Sequence, residues 1–116
     1  MPNVLTDGEE QAQGAVAALS PTPRDLCTLW TEYTTGIGGR KAARLFTPRE
    51  RGANKHKHSW RKVAWDTVAS LVGAGHTSER SCDLTYEVYG VIPVTRIINS
   101  MRADKRNNTL DPRLTV

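Results

Sequence analysis

The chain has 116 residues, a hydrophobic content of 38% and a formal net charge of +4, from 16 lysines and arginines against 12 acids. This length favours one domain that can bury a core without disulfides or a metal ion. No apolar run approaches the roughly 18–20 residues that a membrane-spanning helix requires. The acidic N-terminus also differs from a secretory signal, so we expect neither a membrane partner nor export.

The basic charge is concentrated in one segment. Residues 1–21 contain three acids and no lysine or arginine, whereas residues 40–62 contain nine basic residues and a single acid, Glu50, which gives this segment a formal charge of +8. His56 and His58 would add to it beside a polyanion, because a nearby negative charge favours the protonated imidazole. Such density is typical of a surface that binds nucleic acid or another polyanion. The alternative is a solvated basic face with no partner.

The N-terminal third predicts a tail followed by one helix. Residues 1–21 are mostly small and polar, and we expect a disordered acidic tail that ends at the prolines at 21 and 23. A helix is then predicted over 23–34, with Thr22 as its N-cap. Apolar side chains recur along one of its faces at Leu26, Leu29, Trp30 and Tyr33. Glycines at 36, 38 and 39 end this helix.

The basic segment predicts two short helices, a loop and one long helix. We expect a second helix over 40–46 and a brief third one after Thr47, which precedes Pro48 and Glu50 in the pattern of a capping box. A basic loop is predicted over 55–59. The clearest helix then runs over 59–72, with Arg61 and Lys62 in its first turn, where the helix dipole disfavours cations. A local rule broken in this way often marks function.

Two more helices complete the predicted fold. One begins at Thr77 or Ser78 and ends at Gly90, and the last begins near Pro93 with Val94, Ile97, Ile98 and Met101 at helical spacing. No alternating strand pattern is present. The prediction is an all-α fold, a small bundle of four to five short helices. The chain is predicted to consist of a disordered tail over 1–21, a helical domain over 22–106 and a flexible C-terminal tail over 107–116.

Metal binding and catalysis find little support in the sequence. His56 and His58 could chelate zinc, but a structural zinc site needs about four ligands and the other histidine and the cysteines are unhelpfully spaced. The acids are scattered, and the glycines at 36–39 lack the strand-turn-helix setting of a phosphate loop. We expect no cofactor, no metal, no small-molecule substrate and no enzymatic activity. Cys27 and Cys82 should be buried, reduced thiols, although a disulfide stays open.

The segment from Leu29 to Gly39, Leu-Trp-Thr-Glu-Tyr-Thr-Thr-Gly-Ile-Gly-Gly, resembles the opening of a known DNA-binding domain. This is the C-terminal domain of fungal activators of glycolytic genes, which yeast osmotic-stress and pseudohyphal-growth transcription factors share. Ser-Trp-Arg-Lys at 59–62 and the helices that follow keep the family's order, although the family separates its Trp-Arg element from the next basic helix start. The resemblance implies Trp30, Gly36 and Gly39 as scaffold, and Trp60, Arg61 and Lys62 as contact elements.

The resemblance implies sequence-specific binding of double-stranded DNA in the nucleus, in transcription regulation. We expect the helix that begins near Ser59 to enter the major groove, with Arg61 or Arg44 reaching a guanine edge. The residues predicted to contact DNA are Arg40, Lys41, Arg44, Arg49, Arg51, Lys55, Lys57, His58, Trp60, Arg61 and Lys62. Three alternatives stay open: a protein interaction module that docks an acidic partner, an RNA or non-specific nucleic-acid binder, and the DNA-binding portion of a mobile-element recombinase.

Overall fold

The structure, a computed structural model, describes residues 16–21 and 23–115. Within these residues the chain is helical, and its one β feature is an isolated parallel bridge between Val16 and Arg40. The described residues form five α-helices: α1 (Leu26–Thr34), α2 (Pro48–Ala53), α3 (Lys55–Gly73), α4 (Ser78–Tyr89) and α5 (Val94–Arg106). They also form 3-10 turns at Ala43–Leu45 and Pro112–Leu114. The predicted all-α class is confirmed, and the predicted tail over 1–15 lies outside the described residues.

The chain divides into two compact units. The described part of the first unit comprises residues 16–21 and 31–58, and that of the second comprises residues 23–30 and 59–115. Helices α1 and α3 each contribute to both units, because the boundaries fall inside them. The predicted domain over 22–106 therefore includes parts of both.

The second unit is a small helical bundle with an apolar core. The predicted inward face of α5 is confirmed, since the four apolar side chains predicted on it are all buried. The Trp65 indole is 1% exposed and donates to the Leu29 carbonyl oxygen at 3.0 Å, which ties α3 to the first part of α1. The hydroxyl of Thr67 lies 3.3 Å from the Met101 sulfur, which places α3 against α5.

The first unit includes a segment that the sequence placed in the disordered tail. We call residues 16–20 the strap. The Lys41 amide donates to the Val16 carbonyl at 2.8 Å. Leu19 and Ser20 are 4% and 7% exposed, and Ser20 donates to the Glu32 carboxylate. The expected tail over 1–21 is therefore wrong for residues 16–20, which pack into the unit through contacts with residues far along the chain.

Local start and stop signals placed three of the helix boundaries. Thr47 and Glu50 form the predicted capping box at the start of α2. The Thr77 hydroxyl caps α4, whose C-cap is Gly90. At α1 the helix begins later than predicted, because the Asp25 carboxylate accepts from the Thr28 amide at 2.7 Å. The predicted cap, Thr22, lies outside the described residues.

Three other sequence predictions are wrong. The segment 40–46 contains only the short 3-10 turn, because the backbone is extended at Ala42 and Phe46 on either side of it. Residues 55–59, expected as a loop, form the beginning of α3. The expected flexible tail over 107–116 includes the 3-10 turn at Pro112–Leu114, which packs against α4 and buries Leu114 to 2% exposure.

Candidate nucleic-acid interface

Basic charge is distributed unequally between the two units. The described part of the first unit holds seven arginines and lysines against two acids, Glu32 and Glu50, a formal charge of +5. The described part of the second holds nine against seven, a formal charge of +2. A surface for a polyanion needs uncompensated positive charge, so the first unit is the better candidate.

The predicted contact residues differ widely in exposure. Five in the first unit are exposed, and we call them the basic surface: Arg44, Arg49, Arg51, Lys55 and Lys57. Partly buried are Arg40, Lys41, His58 and Trp60. Lys62 is exposed and Arg61 is buried.

Neither acid of the first unit neutralises the basic surface. Glu50 accepts from the Lys41 ammonium group at 2.8 Å and from the Thr47 amide at 2.8 Å. The Lys41 hydrogen bond, followed by those from Thr47, holds the pKa of Glu50 below its ordinary value. Glu32 is only 3% exposed and accepts two hydrogen bonds from Ser20. Both carboxylates are thus engaged within the unit.

Two arginines of the basic surface are oriented by backbone carbonyls. The Arg44 Nε donates to the Thr34 carbonyl at 2.8 Å, at the C-terminal end of α1, where the helix dipole favours a cation. An Nη of Arg51 donates to the Phe46 carbonyl at 2.8 Å. Each guanidinium has five N–H groups, so one such bond positions the group and leaves most of its donor capacity.

The other three cations lie around the junction of α2 and α3. Arg49, Lys55 and Lys57 are exposed, and their side chains make no hydrogen bond or ion pair with any other described residue. Residues 52–57 line an open groove of about 440 Å³ at this junction. Two of the six lining residues, Gly52 and Ala53, have no side chain or only a methyl group, which leaves room for an anion.

The start of α3 combines two features that attract anions. The first amide groups of a helix lack partners inside the helix and carry partial positive charge, and here Lys55 and Lys57 add two full charges. The side chain of Asn54, the residue before the helix, instead bonds the strap at Ala17 and Leu19. Cations at a helix N-terminus are unfavourable on their own, and a docked phosphate would relieve that cost.

The second unit contains Trp60, Arg61 and Lys62, the contact residues predicted in the first turn of the helix over 59–72. The Trp60 indole donates to the Asn99 side-chain oxygen at 2.9 Å, and the Lys62 ammonium lies 2.6 Å from the Asp66 carboxylate. Lys62 is therefore already paired with an acid one turn along its helix. Neither residue contributes strongly to an uncompensated positive surface.

Arg61, one of the two arginines predicted to reach a base edge, is buried. Its side chain is only 2% exposed, on the same face of α3 as Ala64, Trp65 and Val68. Residues spaced by three, four and seven along a helix share one face, and this face is the one that packs inward. Because α3 begins at Lys55, Arg61 also lies in the second turn rather than the first.

The two neighbouring histidines, His56 and His58, have different surroundings in α3. The His58 ring lies 6.2 Å from the Phe46 ring, in a tilted arrangement, whereas His56 is exposed. Residues two apart on a helix project about 200° from each other, so these imidazoles diverge. In the part of the chain that the structure describes, no three histidines, cysteines or acids are grouped to hold a metal ion.

The fold and this surface define an all-helical chain with one strongly basic unit. No family model, no curated protein and no solved structure matches it. Among the described residues, no helix combines the length and the apolar character needed to cross a membrane.

Proposed function

We propose that this chain binds double-stranded DNA through the basic surface of its first unit. The observation that supports this proposal is the exposure of Arg49, Lys55 and Lys57 around the junction of α2 and α3, in a unit whose two acids are engaged elsewhere. Arginine and lysine contacts with phosphates supply most of the affinity of DNA-binding proteins and fix their register.

The first turn of α3 is the part of the helix that approaches the duplex. Arg61, in the second turn, is buried, whereas Lys55, His56 and Lys57, in the first turn, are all exposed. A phosphate group docks in the groove lined by residues 52–57, where it meets the helix N-terminus and two ammonium groups. Arg49 lies on α2 and binds an adjacent phosphate.

Because Arg61 is buried and Arg44 is exposed, Arg44 is the arginine that recognises a base. Arginine offers a fork of N–H donors that fits the O6 and N7 atoms of guanine, and the bond of the Arg44 Nε to Thr34 orients that fork. Sequence specificity, a role in transcription regulation and nuclear localisation depend on the resemblance described above. The basic surface by itself supports polyanion binding.

The proposal is tested by measuring affinity for a fluorescent duplex as a function of salt. Each phosphate contact contributes a slope of about −0.9 to the plot of log affinity against log salt. We expect Lys55→Ala/Lys57→Ala to lower affinity at least about tenfold at low salt and to reduce the slope by about 2. The matched control is Arg96→Ala/Lys105→Ala, which removes the same charge from exposed positions of α5. It should change both quantities little.

Specificity is measured by selecting bound duplexes from random oligonucleotides with heparin as competitor. Enrichment of one motif, lost in Arg44→Ala, supports sequence-specific binding. Equal affinity for scrambled duplexes and for RNA would indicate a non-specific binder. A flat salt response would contradict the proposal and favour a module that docks an acidic protein.

A further inference from the structure

The two cysteines of the chain lie 55 positions apart in sequence, but the fold brings them together. Cys27 is in the first turn of α1 and Cys82 is in α4, and both belong to the second unit. The Cys27 side chain neighbours the Cys82 thiol, and neither cysteine is in a disulfide bond. The sequence predicted two buried thiols, yet Cys27 is exposed and only Cys82 is buried.

Two hydrogen bonds join α1 to α4, one on each side of this pair. The Leu26 amide donates to the Tyr86 hydroxyl at 3.0 Å, and the Trp30 indole donates to the Ser78 hydroxyl at 3.1 Å. Tyr86 lies one turn after Cys82 and Ser78 one turn before it, so the two helical segments run antiparallel with the cysteines between these bonds. The packing of α1 on α4 therefore places the Cys27 and Cys82 positions next to each other.

The two thiols have different environments. Cys82 is 1% exposed, and burial, followed by the neighbouring Cys27 and the charge of Asp83, raises its pKa to about 12. Cys82 is thus a protonated thiol at neutral pH, out of reach of solvent. Cys27 is the thiol that an oxidant in solution can reach.

We propose that Cys27 and Cys82 form an oxidation-dependent disulfide that cross-links α1 to α4. A peroxide is the oxidant. The Cys27 sulfur attacks one peroxide oxygen, the O–O bond breaks, and the products are a Cys27 sulfenic acid and an alcohol, or water from hydrogen peroxide. The Cys82 sulfur then displaces the hydroxyl from Cys27, its proton leaves with that hydroxyl as water, and the S–S bond forms. Each peroxide accepts the two electrons that the two thiols lose.

The cross-link has a measurable consequence for stability. It closes a loop of about 55 residues in the unfolded chain. In the chain-entropy model, such a cross-link stabilises the folded state because it lowers the conformational entropy of the unfolded chain, and the effect grows with the length of the loop. The two cysteines are already neighbours in the folded chain, as a disulfide between them requires. We expect the oxidised protein to have a Tm on the order of 10 °C above that of the reduced protein.

The test uses the whole chain treated with hydrogen peroxide and then with N-ethylmaleimide under denaturing conditions. We expect a monomer that has lost two hydrogens and takes up no maleimide, whereas the reduced chain takes up two. Trypsin should release residues 25–40 joined to residues 81–96, a pair that a reducing agent separates. A main product that is a disulfide-linked dimer, or a monomer carrying a sulfinic acid at Cys27, would overturn the proposal.

Two variants distinguish a disulfide between the two cysteines from oxidation of a single reactive thiol. Cys82→Ala should give sulfenic or sulfinic acid at Cys27, or dimers, and no rise in Tm on oxidation. Cys27→Ser changes an exposed side chain and so keeps the core intact. In this variant Cys82 should resist peroxide because it is buried. Rapid oxidation of Cys82 in Cys27→Ser would contradict the division of roles.

Discussion

Ser20 donates two hydrogen bonds to a single carboxylate oxygen of Glu32, one from its amide and one from its hydroxyl. Both residues are buried, at 7% and 3% exposure. A buried carboxylate loses its hydration and needs hydrogen bonds in compensation. The strap therefore has a structural role in the first unit, because it supplies donors to an acid of α1.

Replacement of Ser20 by alanine should destabilise the protein by about 1.5–3 kcal/mol, the usual range for a hydrogen bond to a charged group. The amide donor stays, so the loss is that of the hydroxyl alone. Urea denaturation measures the free energy of unfolding. The control is Ser100→Ala, an exposed position on α5, which should change it by less than about 0.5 kcal/mol. Equal stability of the two variants would mean that the hydroxyl bond contributes nothing.

Gly36 ends α1 in a conformation that other residues rarely adopt. Its φ is +91°, and a Cβ atom built on it would lie 2.2 Å from the Arg40 carbonyl oxygen. Backbone must move to accept any side chain there. We expect Gly36→Ala to cost about 2–4 kcal/mol, from the left-handed conformation together with this clash.

Thermal unfolding of Gly36→Ala is compared with that of Gly73→Ala. A Cβ at Gly73, the last residue of α3, meets no atom within 4 Å. That substitution should be neutral or stabilise by up to about 1 kcal/mol, because alanine loses less conformational entropy than glycine on folding. If both variants melted at the wild-type temperature, the close approach of Arg40 to Gly36 would be wrong.

The ion pair between Lys41 and Glu50 should make stability depend on acid pH. Its hydrogen bonds lower the pKa of Glu50 in the folded state. A group with a lowered folded pKa stabilises above its unfolded pKa, and that stability is lost as pH falls through the folded value. For Glu50 the loss occurs below the ordinary value of 4.5.

A double-mutant cycle of Glu50→Gln and Lys41→Met, measured at pH 7 and again at pH 3, isolates this pair. We expect a favourable coupling free energy at pH 7 that is smaller at pH 3, because protonation of Glu50 removes the charge that pairs with Lys41. A coupling that is equal at both values would contradict the assignment. Added salt should weaken the coupling, since the pair is partly exposed to solvent.

Much of the helical framework follows from local sequence signals. The caps at Thr47 and Thr77 and the stop at Gly90 involve residues within one turn of each other, so neighbouring positions suffice to predict them. The apolar stripe of α5 is likewise a periodic pattern, and its four predicted core residues are all buried. The concentration of charge over 40–62 is a property of composition and needs no structure.

Only the tertiary structure decided which of those basic residues face solvent. Lys55 and Lys57 lie in the first turn of a longer helix, and Arg61 lies on its inner face beside Trp65, an outcome that depends on which elements pack around α3. The strap was missed for the same reason, since Ser20 is held by Glu32 and Leu19 by Asn54, contacts that no local pattern encodes. A sequence fixes the periodicity of a helix, but the packing partner chooses the face that is buried. The density of basic residues could therefore be predicted from the sequence, whereas the basic side chains that are exposed to a partner could not.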